Sequence, residues 1–368
     1  MMAKRICFIL NYAPHYRTEV LLEIDRNFDC DFFMGNKTYT DIRKMDTAAL
    51  KRSRELGFVK IWGHFYWLRG QAAMAFKKYD SYVITGQPYN LSSWIFLILS
   101  RIRGKKVFIW NHGMYGNEGP LQKILKKIQF NLITGYLLYG NYARTIMIEN
   151  GFKKEKLHVI YNSLAYKAQF RIRQKLQSTS VYKEYFKNDL PVIIFIGRLT
   201  GVKKLDLLLK AMKLSFDEGL RFNTVFVGDG MEKSKLQQLV ADYELNPNVW
   251  FYGSLYDETK IGELLYNADF CVSPGNVGLT AMHALTFGCP VLTHANFKKQ
   301  MPEFEAIREN STGGFFQEND PDALRKAIQD WLEKHPVKDK KLIAACYEVI
   351  DSHYNPERQI EVLKKVLL

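Results

Sequence analysis

Arg198 and Lys203 leave the turn Gly197-Arg198-Leu199-Thr200-Gly201-Val202-Lys203-Lys204, which follows an apolar run and precedes a helical pattern. Side chains that leave a strand-to-helix turn project past the sheet, so both cations can reach a single anion. A diphosphate suits such a pair, because charge-assisted hydrogen bonds are worth roughly 1.5–3 kcal/mol each. The same cations would stabilise the charge that develops on a departing diphosphate. Taken alone, the turn reads equally well as an exposed basic loop.

Two further turns end apolar runs. In Gly228-Asp229-Gly230, glycines let the backbone turn sharply or approach a ligand closely, and an ordinary turn fits the tripeptide as well. The segment Ser273-Pro274-Gly275-Asn276-Val277-Gly278-Leu279-Thr280-Ala281-Met282-His283 runs from a strand pattern into a helix starting near Gly278. Free amides at a helix N-terminus form an anion site worth roughly 0.3–2 kcal/mol. The alternative is a glycine turn that only lets helix and sheet pack closely.

The elements that must position these turns follow a regular order. Apolar runs at 191–197, 224–228, 249–253, 270–274 and 290–294 are continuous, as expected of strands buried on both faces of a parallel sheet. Helical patterns lie between them: Leu205, Leu208, Leu209 and Met212 share one face, and 235–243, 260–267 and 279–287 behave similarly. The alternation predicts a doubly wound α/β sheet with its ligand site at the carboxyl ends of the strands. The first half repeats the theme, with strands expected at 5–10, 31–34, 81–84, 106–110, 135–139 and 157–160. Helices are expected there at 19–27, 121–132 and 143–149, and the apolar run 94–99 reads as part of a buried helix.

A chain of 368 residues with 47% apolar and 24% charged residues suits two globular domains. The expected division is an N-terminal Rossmann-like domain (1–170), a polar linker (171–190) and a second Rossmann-like domain (191–350). The last segment, 351–368, reads as a helix that could belong to either half, a return to the N-terminal domain being one of the two options. No apolar run approaches the roughly 20 residues that span a bilayer, and residues 1–13 lack a small-residue cleavage site. Five scattered cysteines without metal spacing fit core thiols in a reducing, cytoplasmic compartment.

Charge is divided unevenly. Residues 1–190 hold 31 Lys or Arg against 14 Asp or Glu, whereas residues 191–368 hold 21 against 24. A basic first half suggests an anionic membrane surface, an anionic acceptor or a nucleic acid, or simply a solvated surface. The aromatic stretch 58–68 suits a membrane interface if exposed and a core if buried. No nucleic-acid motif accompanies it, so no nucleic-acid partner is expected.

In their order, the motifs of the second half resemble the retaining, GT-B-fold glycosyltransferases of family 4. The resemblance covers about 192–332: Gly197-Arg198-Leu199 with Lys203, then Val227-Gly228-Asp229-Gly230, Phe251-Tyr252-Gly253 and Leu265-Tyr266-Asn267-Ala268-Asp269. Gly288-Cys289-Pro290-Val291, Pro302-Glu303 and Thr312-Gly313 complete it. It implies a nucleoside-diphosphate sugar donor whose diphosphate is gripped by Arg198 and Lys203, with no metal and no other cofactor. Gly228, Tyr252, Gly253, Leu255, Asn276, Gly278, Leu279, Thr280, His283 and Glu303 would line the donor site, the 251–255 segment lying near the base. The family's paired glutamates are absent, and Gly275 and His283 stand in their places.

Asn111-His112-Gly113 resembles the N-terminal-domain histidine that approaches the donor sugar, which gives His112 a catalytic role beside Arg198 and Lys203. The loop holding Pro14, His15, Tyr16 and Arg17 would face the acceptor. The implied reaction transfers a hexosyl group, with retention, to a hydroxyl of a glycan or lipid-linked acceptor in surface polysaccharide synthesis. Peripheral attachment to the inner membrane face would accompany it. A non-catalytic nucleotide-sugar-binding homologue is the alternative, as is an inverting transferase with His15 or Glu118 as base.

Overall fold

The computed structural model describes residues 4–37 and 42–368. It divides into two compact units, Met1–Ala165 with Tyr354–Leu368, and Tyr166–His353.

The first unit is built on a seven-stranded sheet of order β3-β2-β1-β6-β7-β8-β9, all parallel. Its strands are β1 (Arg5–Leu10), β2 (Asp29–Gly35), β3 (Ser53–Leu56), β6 (Ser81–Ile84), β7 (Lys106–Asn111), β8 (Gly135–Leu138) and β9 (Leu157–Val159). The intervening β4 (Phe58–Trp62) and β5 (Phe65–Leu68) form a separate antiparallel hairpin. Helices α1 (Thr18–Asn27), α2 (Leu91–Ile102), α3 (Pro120–Leu132) and α4 (Asn141–Glu149) connect the strands. The central strands are apolar on both faces, and each face carries its own core. One core includes Ile6, Phe8, Val83, Phe108 and the last helix, Pro356–Leu367, which packs beside α1.

Three features depart from expectation. The edge strand β3 (Ser-Arg-Glu-Leu) is mostly exposed, so it has no apolar run to announce it. The aromatic stretch 58–68 is divided: Tyr66 stacks on Phe58 and is buried with Leu68, whereas Ile61 and Trp62 at the hairpin tip are exposed. The run 94–99 lies in α2, as expected, but it is not simply buried. Ser92, Ser93, Phe96, Leu97 and Ser100 point inward, while Ile95 and Ile98 are exposed.

The second unit holds a six-stranded parallel sheet of order β12-β11-β10-β13-β14-β15. Its strands are β10 (Val192–Ile196), β11 (Asn223–Val227), β12 (Val249–Gly253), β13 (Phe270–Ser273), β14 (Val291–His294) and β15 (Gly313–Phe316). Its helices are α5 (Tyr166–Arg173), α6 (Val181–Phe186), α7 (Leu205–Asp217), α8 (Lys233–Asp242) and α9 (Glu258–Asn267). These are followed by α10 (Leu279–Thr286), α11 (Pro321–Lys334) and α12 (Lys340–His353).

Strand β15 begins with two glycines, which hid it from hydrophobic patterning. The polar segment 171–190 is not free chain: α6 buries Tyr182 and Phe186, and the Tyr182 hydroxyl donates to the Leu264 carbonyl at 2.7 Å. Strand order reverses between β10 and β13, the position where doubly wound sheets open a crevice for ligands. All five cysteines are free and buried, and burial raises the pKa of every one of these thiols.

Candidate active site

Three strand-end turns of the second unit are stitched together through their backbones. Gly197 N–H donates to the Val227 carbonyl at 3.0 Å, and Leu199 N–H donates to Asp229 at 2.9 Å. Gly228 N–H donates to the Gly253 carbonyl at 2.8 Å. A Cβ on Gly228 would sit 1.9 Å from the Gly197 carbonyl oxygen, and its φ is +146°, so only glycine fits this junction. The third turn joins in the same manner: Gly275 N–H donates to Lys203 O at 2.9 Å and Asn276 N–H to Val202 O at 3.2 Å. These contacts fix the backbone around a pocket of about 280 Å³ at the carboxyl ends of β10 and β11 and the start of α10.

The pocket is lined by Gly197, Arg198, Gly228, Asp229, Ser254, Leu255, Tyr256, Leu279, Thr280 and His283, with Ile196, Val227 and Ile261 beneath. Six residues expected in the site therefore meet here: Arg198, Gly228, Leu255, Leu279, Thr280 and His283. Arg198 is exposed, free to swing toward an anion. Thr280 is spent on structure, since its hydroxyl donates to the Ile196 carbonyl at 2.9 Å. Gly278 starts α10, whose first amides have no intrahelical partner and form its positive end.

Lys203 lies just behind the pocket wall. Its ammonium donates to the Asn276 carbonyl at 2.5 Å and the Val277 carbonyl at 3.3 Å, bracing the turn before α10. Burial, reinforced by the nearby charge of Arg198, pushes its pKa down to about 8, while Cys271 and Glu303 act in the opposite direction. Glu303 is buried and contributes its charge to Lys203 rather than a surface to the pocket. Asn276 reaches Lys203 through its carbonyl. Gly253 supplies only the carbonyl that holds Gly228, and Tyr252 packs against Trp250 at 5.0 Å between centroids, outside the pocket lining.

Positions 275 and 283, where the resemblance to family 4 leads to an expectation of glutamates, each have a distinct local setting. Gly275 is overlaid by the 202–203 turn: a Cβ there would lie 2.0 Å from the Val202 carbonyl oxygen. No carboxylate side chain fits at this position. At the other, His283 Nε2 lies 3.1 Å from Oε1 of Glu258, whose second oxygen accepts from Gln169 Nε2 at 3.0 Å. A carboxylate thus stands beside His283, supplied by the first turn of α9. Burial raises the Glu258 pKa, but the hydrogen bond and charge of His283 outweigh it, so the net shift is downward.

Glu258 should accordingly contribute stability at neutral pH that disappears as pH falls below its ordinary value of 4.5. The expected stability gap between wild type and Glu258→Gln is on the order of 1 kcal/mol or less at pH 7. It should narrow in thermal melts as pH falls below 4.5 and through the depressed pKa of the folded state; a gap independent of pH would refute the pairing.

Sequence reasoning did not assign Glu258, Tyr256 or Gln300. Tyr256 is 89% exposed at the pocket rim. Gln300 is buried, accepts from Val277 N–H at 2.9 Å and donates to the Thr293 hydroxyl at 2.9 Å, which locks the turn before α10. Only proximity in sequence to the Phe251-Tyr252-Gly253 motif could have pointed to Tyr256. Nothing local pointed to Glu258 or Gln300.

The first unit has its own cavity, of about 670 Å³, at the ends of β6 and β7. His112 lines it together with Trp94, Trp110, Tyr115, Glu118 and Lys126. The His112 pKa is pushed down to about 4, by burial first and by Arg17 and Lys126 next, so the ring is neutral at pH 7. Its Nδ1 is buried without a hydrogen-bond partner.

Glu118 pairs with Lys126 at 2.7 Å and accepts the Tyr115 and Gly116 amides at 2.8 and 2.9 Å. Burial raises its pKa, but the Lys126 and amide hydrogen bonds lower it further, which makes it a weaker base than an ordinary carboxylate. Of the expected acceptor loop, Pro14 is buried and His15 is exposed with Nδ1 3.2 Å from the Arg43 carbonyl. Tyr16 stacks edge-on against His15, and Arg17 lies 4.1 Å over the Trp110 ring. None of the four lines the cavity.

Residues 179–349 match the family described as glycosyl transferases group 1. Among curated relatives, glycogen synthase 2 of Nitrosococcus oceani is 33% identical over 150 residues, 38% of this chain and 30% of that protein. An uncharacterized glycosyltransferase of Methanocaldococcus jannaschii is 29% identical over 189 residues, 48% of this chain and 44% of that protein. The chain thus spans less than half the length of these relatives. Among solved structures, Anabaena HepE in complex with UDP has a TM-score of 0.71 at 16% identity, covering 99% of both chains. The lipopolysaccharide outer core galactosyltransferase WaaB has a TM-score of 0.70 at 14% identity, covering 98% of this chain and 99% of its own. The fold is that of GT-B glycosyltransferases, with two Rossmann-like units.

Proposed function

We propose that this chain is a glycosyltransferase that moves a hexosyl group from a nucleoside-diphosphate sugar to a hydroxyl of a glycan or lipid-linked acceptor. The observation that carries the reading is the pocket at the switch point of the second sheet. There an exposed Arg198 stands with the amide end of α10, and Lys203 braces the wall behind them. Those groups suit a diphosphate: they bind it in the ground state and stabilise the charge that builds on it as the glycosidic bond breaks. The match of residues 179–349 to group 1 transferases and the UDP complex of the similarly folded HepE support it.

Retention of anomeric configuration follows the resemblance to family 4, and the weakened basicity of Glu118 speaks against an inverting mechanism that uses it as base. The protein's own cations take the role that a metal plays elsewhere, so chelation with EDTA should leave turnover unchanged. The acceptor is proposed to belong to surface polysaccharide synthesis at the cytoplasmic face of a membrane; five unpaired thiols suit that reducing compartment.

The test is a thermal-shift panel of UDP-, GDP- and CMP-sugars followed by turnover with the stabilising donor. A rise in Tm is expected with one nucleotide class. Stabilisation without transfer or donor hydrolysis would favour a non-catalytic homologue, and no stabilisation would refute the site. The product's anomeric proton, followed by NMR, decides retention. His112→Ala should lower kcat while leaving nucleotide Kd unchanged.

A further inference from the structure

Helix α2 is apolar on two sides. Its buried face carries Phe96 and Leu97 together with Ser92, Ser93 and Ser100, whereas Ile95, Ile98 and Ile102 (spaced i, i+3, i+7) are 43%, 47% and 77% exposed. This orientation is held by polar contacts. Ser92 Oγ donates to Gln71 Oε1 at 2.7 Å and accepts from Leu68 N–H at 3.0 Å. Ser93 Oγ accepts from Gln71 Nε2 at 2.9 Å. Rotating the helix to bury its isoleucines would orphan each of these buried groups.

Helix α3 packs beside α2 and repeats the arrangement. Of its 13 residues only Gln129 and Phe130 are buried. Gln129 is pinned by the Gly86 carbonyl at 3.0 Å and the Tyr136 hydroxyl at 3.1 Å. Leu121, Ile124 and Ile128, again at i, i+3, i+7, are 68%, 55% and 47% exposed.

Neither helix contains an acidic residue, and Arg101, Lys123, Lys126 and Lys127 lie along them. Lys126 is engaged by Glu118, which leaves Arg101, Lys123 and Lys127 beside the isoleucines. Beyond the C-terminal end of α2, Arg103 lies 4.9 Å over the ring of Phe76, itself 56% exposed. Exposed aliphatic stripes on helices that carry cations and no acidic residue match an anionic lipid surface: the aliphatics enter the acyl boundary and the cations meet phosphates. An aqueous protein partner would more often be met by a mixed-charge rim.

We propose that the α2–α3 face of the first unit docks on an anionic lipid bilayer. Leu121 lies both on this face and in the wall of the 670 Å³ cavity that holds His112, so a docked face brings the cavity mouth to the lipid headgroups. The use of such docking, delivery of a lipid-linked acceptor, rests on the proposed transferase reading; the docking itself does not.

The experiment is flotation of the full chain with phosphatidylcholine vesicles, with and without phosphatidylglycerol. Binding is expected only with phosphatidylglycerol and should weaken steeply between 0.1 and 0.5 M salt. Ile98→Glu with Ile124→Glu should reduce the bound fraction at least tenfold, and Lys123→Glu with Lys127→Glu comparably. These positions are exposed, so a ligand-free Tm identical to wild type verifies folding and keeps the outcome separate from the fate of the nucleotide site. Absence of vesicle binding by the wild type, or unchanged binding by the Ile98→Glu, Ile124→Glu variant, overturns the proposal. So does a lipid-free dimer, seen by sedimentation velocity, that the same variant dissociates, for the face would then join two copies of the chain.

Discussion

Arg198→Ala is expected to weaken nucleoside diphosphate binding by about tenfold to a hundredfold, the equivalent of one charge-assisted contact of roughly 1.5–3 kcal/mol. Isothermal titration with the diphosphate alone measures it, and turnover should fall at least as far, because the contact strengthens as the leaving group gains charge. Lys203→Met should behave differently. It removes a charge and also frees the Asn276 and Val277 carbonyls, so it should lower both affinity and Tm.

The pH profile separates the two cations. With the Lys203 pKa pushed down to about 8, the free protein loses this charge in mildly alkaline solution. A diphosphate favours the protonated form, so its Kd should rise by up to tenfold per pH unit above about 8. The Lys203→Met variant should lose that dependence. Stability carries the opposite sign: between about 8 and the ordinary 10.5 the unfolded chain binds more protons, so this group makes the fold more stable as pH rises. An affinity that is flat to pH 9.5 in the wild type would remove Lys203 from the site.

Placing a carboxylate at position 275 should damage the protein. In Gly275→Glu, and already in Gly275→Ala, the Cβ would meet the Val202 carbonyl oxygen at 2.0 Å and the Lys203 Cα at 2.9 Å. Relief requires separating the 202–203 turn from the 275–276 turn, with loss of two backbone hydrogen bonds. Overpacking against backbone together with those bonds amounts to about 2–4 kcal/mol. For a unit of this size that corresponds to a Tm lower by roughly 5–15 °C in calorimetry. Gly119→Ala, where an added Cβ meets nothing within 4 Å, serves as the control and should leave Tm unchanged. Equal melting of Gly275→Ala and wild type would show that the two turns are not held together as described.

The parallel sheets were largely legible in sequence because each buried strand is a continuous apolar run followed at once by its turn. Arg198, Gly228 and Leu279 could be placed at one end of a sheet on that local basis alone. What stayed hidden depends on pairings between distant segments. Glu258 and His283 are 25 residues apart, and only the fold, in which α9 and α10 both pack against α5, joins them. Lys203 and Arg198 looked equivalent as two cations of one turn. The fold turns Lys203 inward to the Asn276 carbonyl and leaves Arg198 outside, a difference decided by the 275–276 turn rather than by the local sequence. Helix α2 misled for a third reason. Apolar content implied burial, whereas serine contacts with Gln71 set its orientation.

The five interior thiols make the wild-type chain a clean background for covalent labelling. None presents a thiolate at neutral pH, for burial pushes Cys30 and Cys289 to about 12 and raises the others as well. A cysteine introduced at Met231, which is 89% exposed just beyond the Gly228-Asp229-Gly230 turn, would be the sole maleimide-reactive position on the native protein. A fluorophore there would report occupancy of the neighbouring pocket directly, without any need to remove a native cysteine.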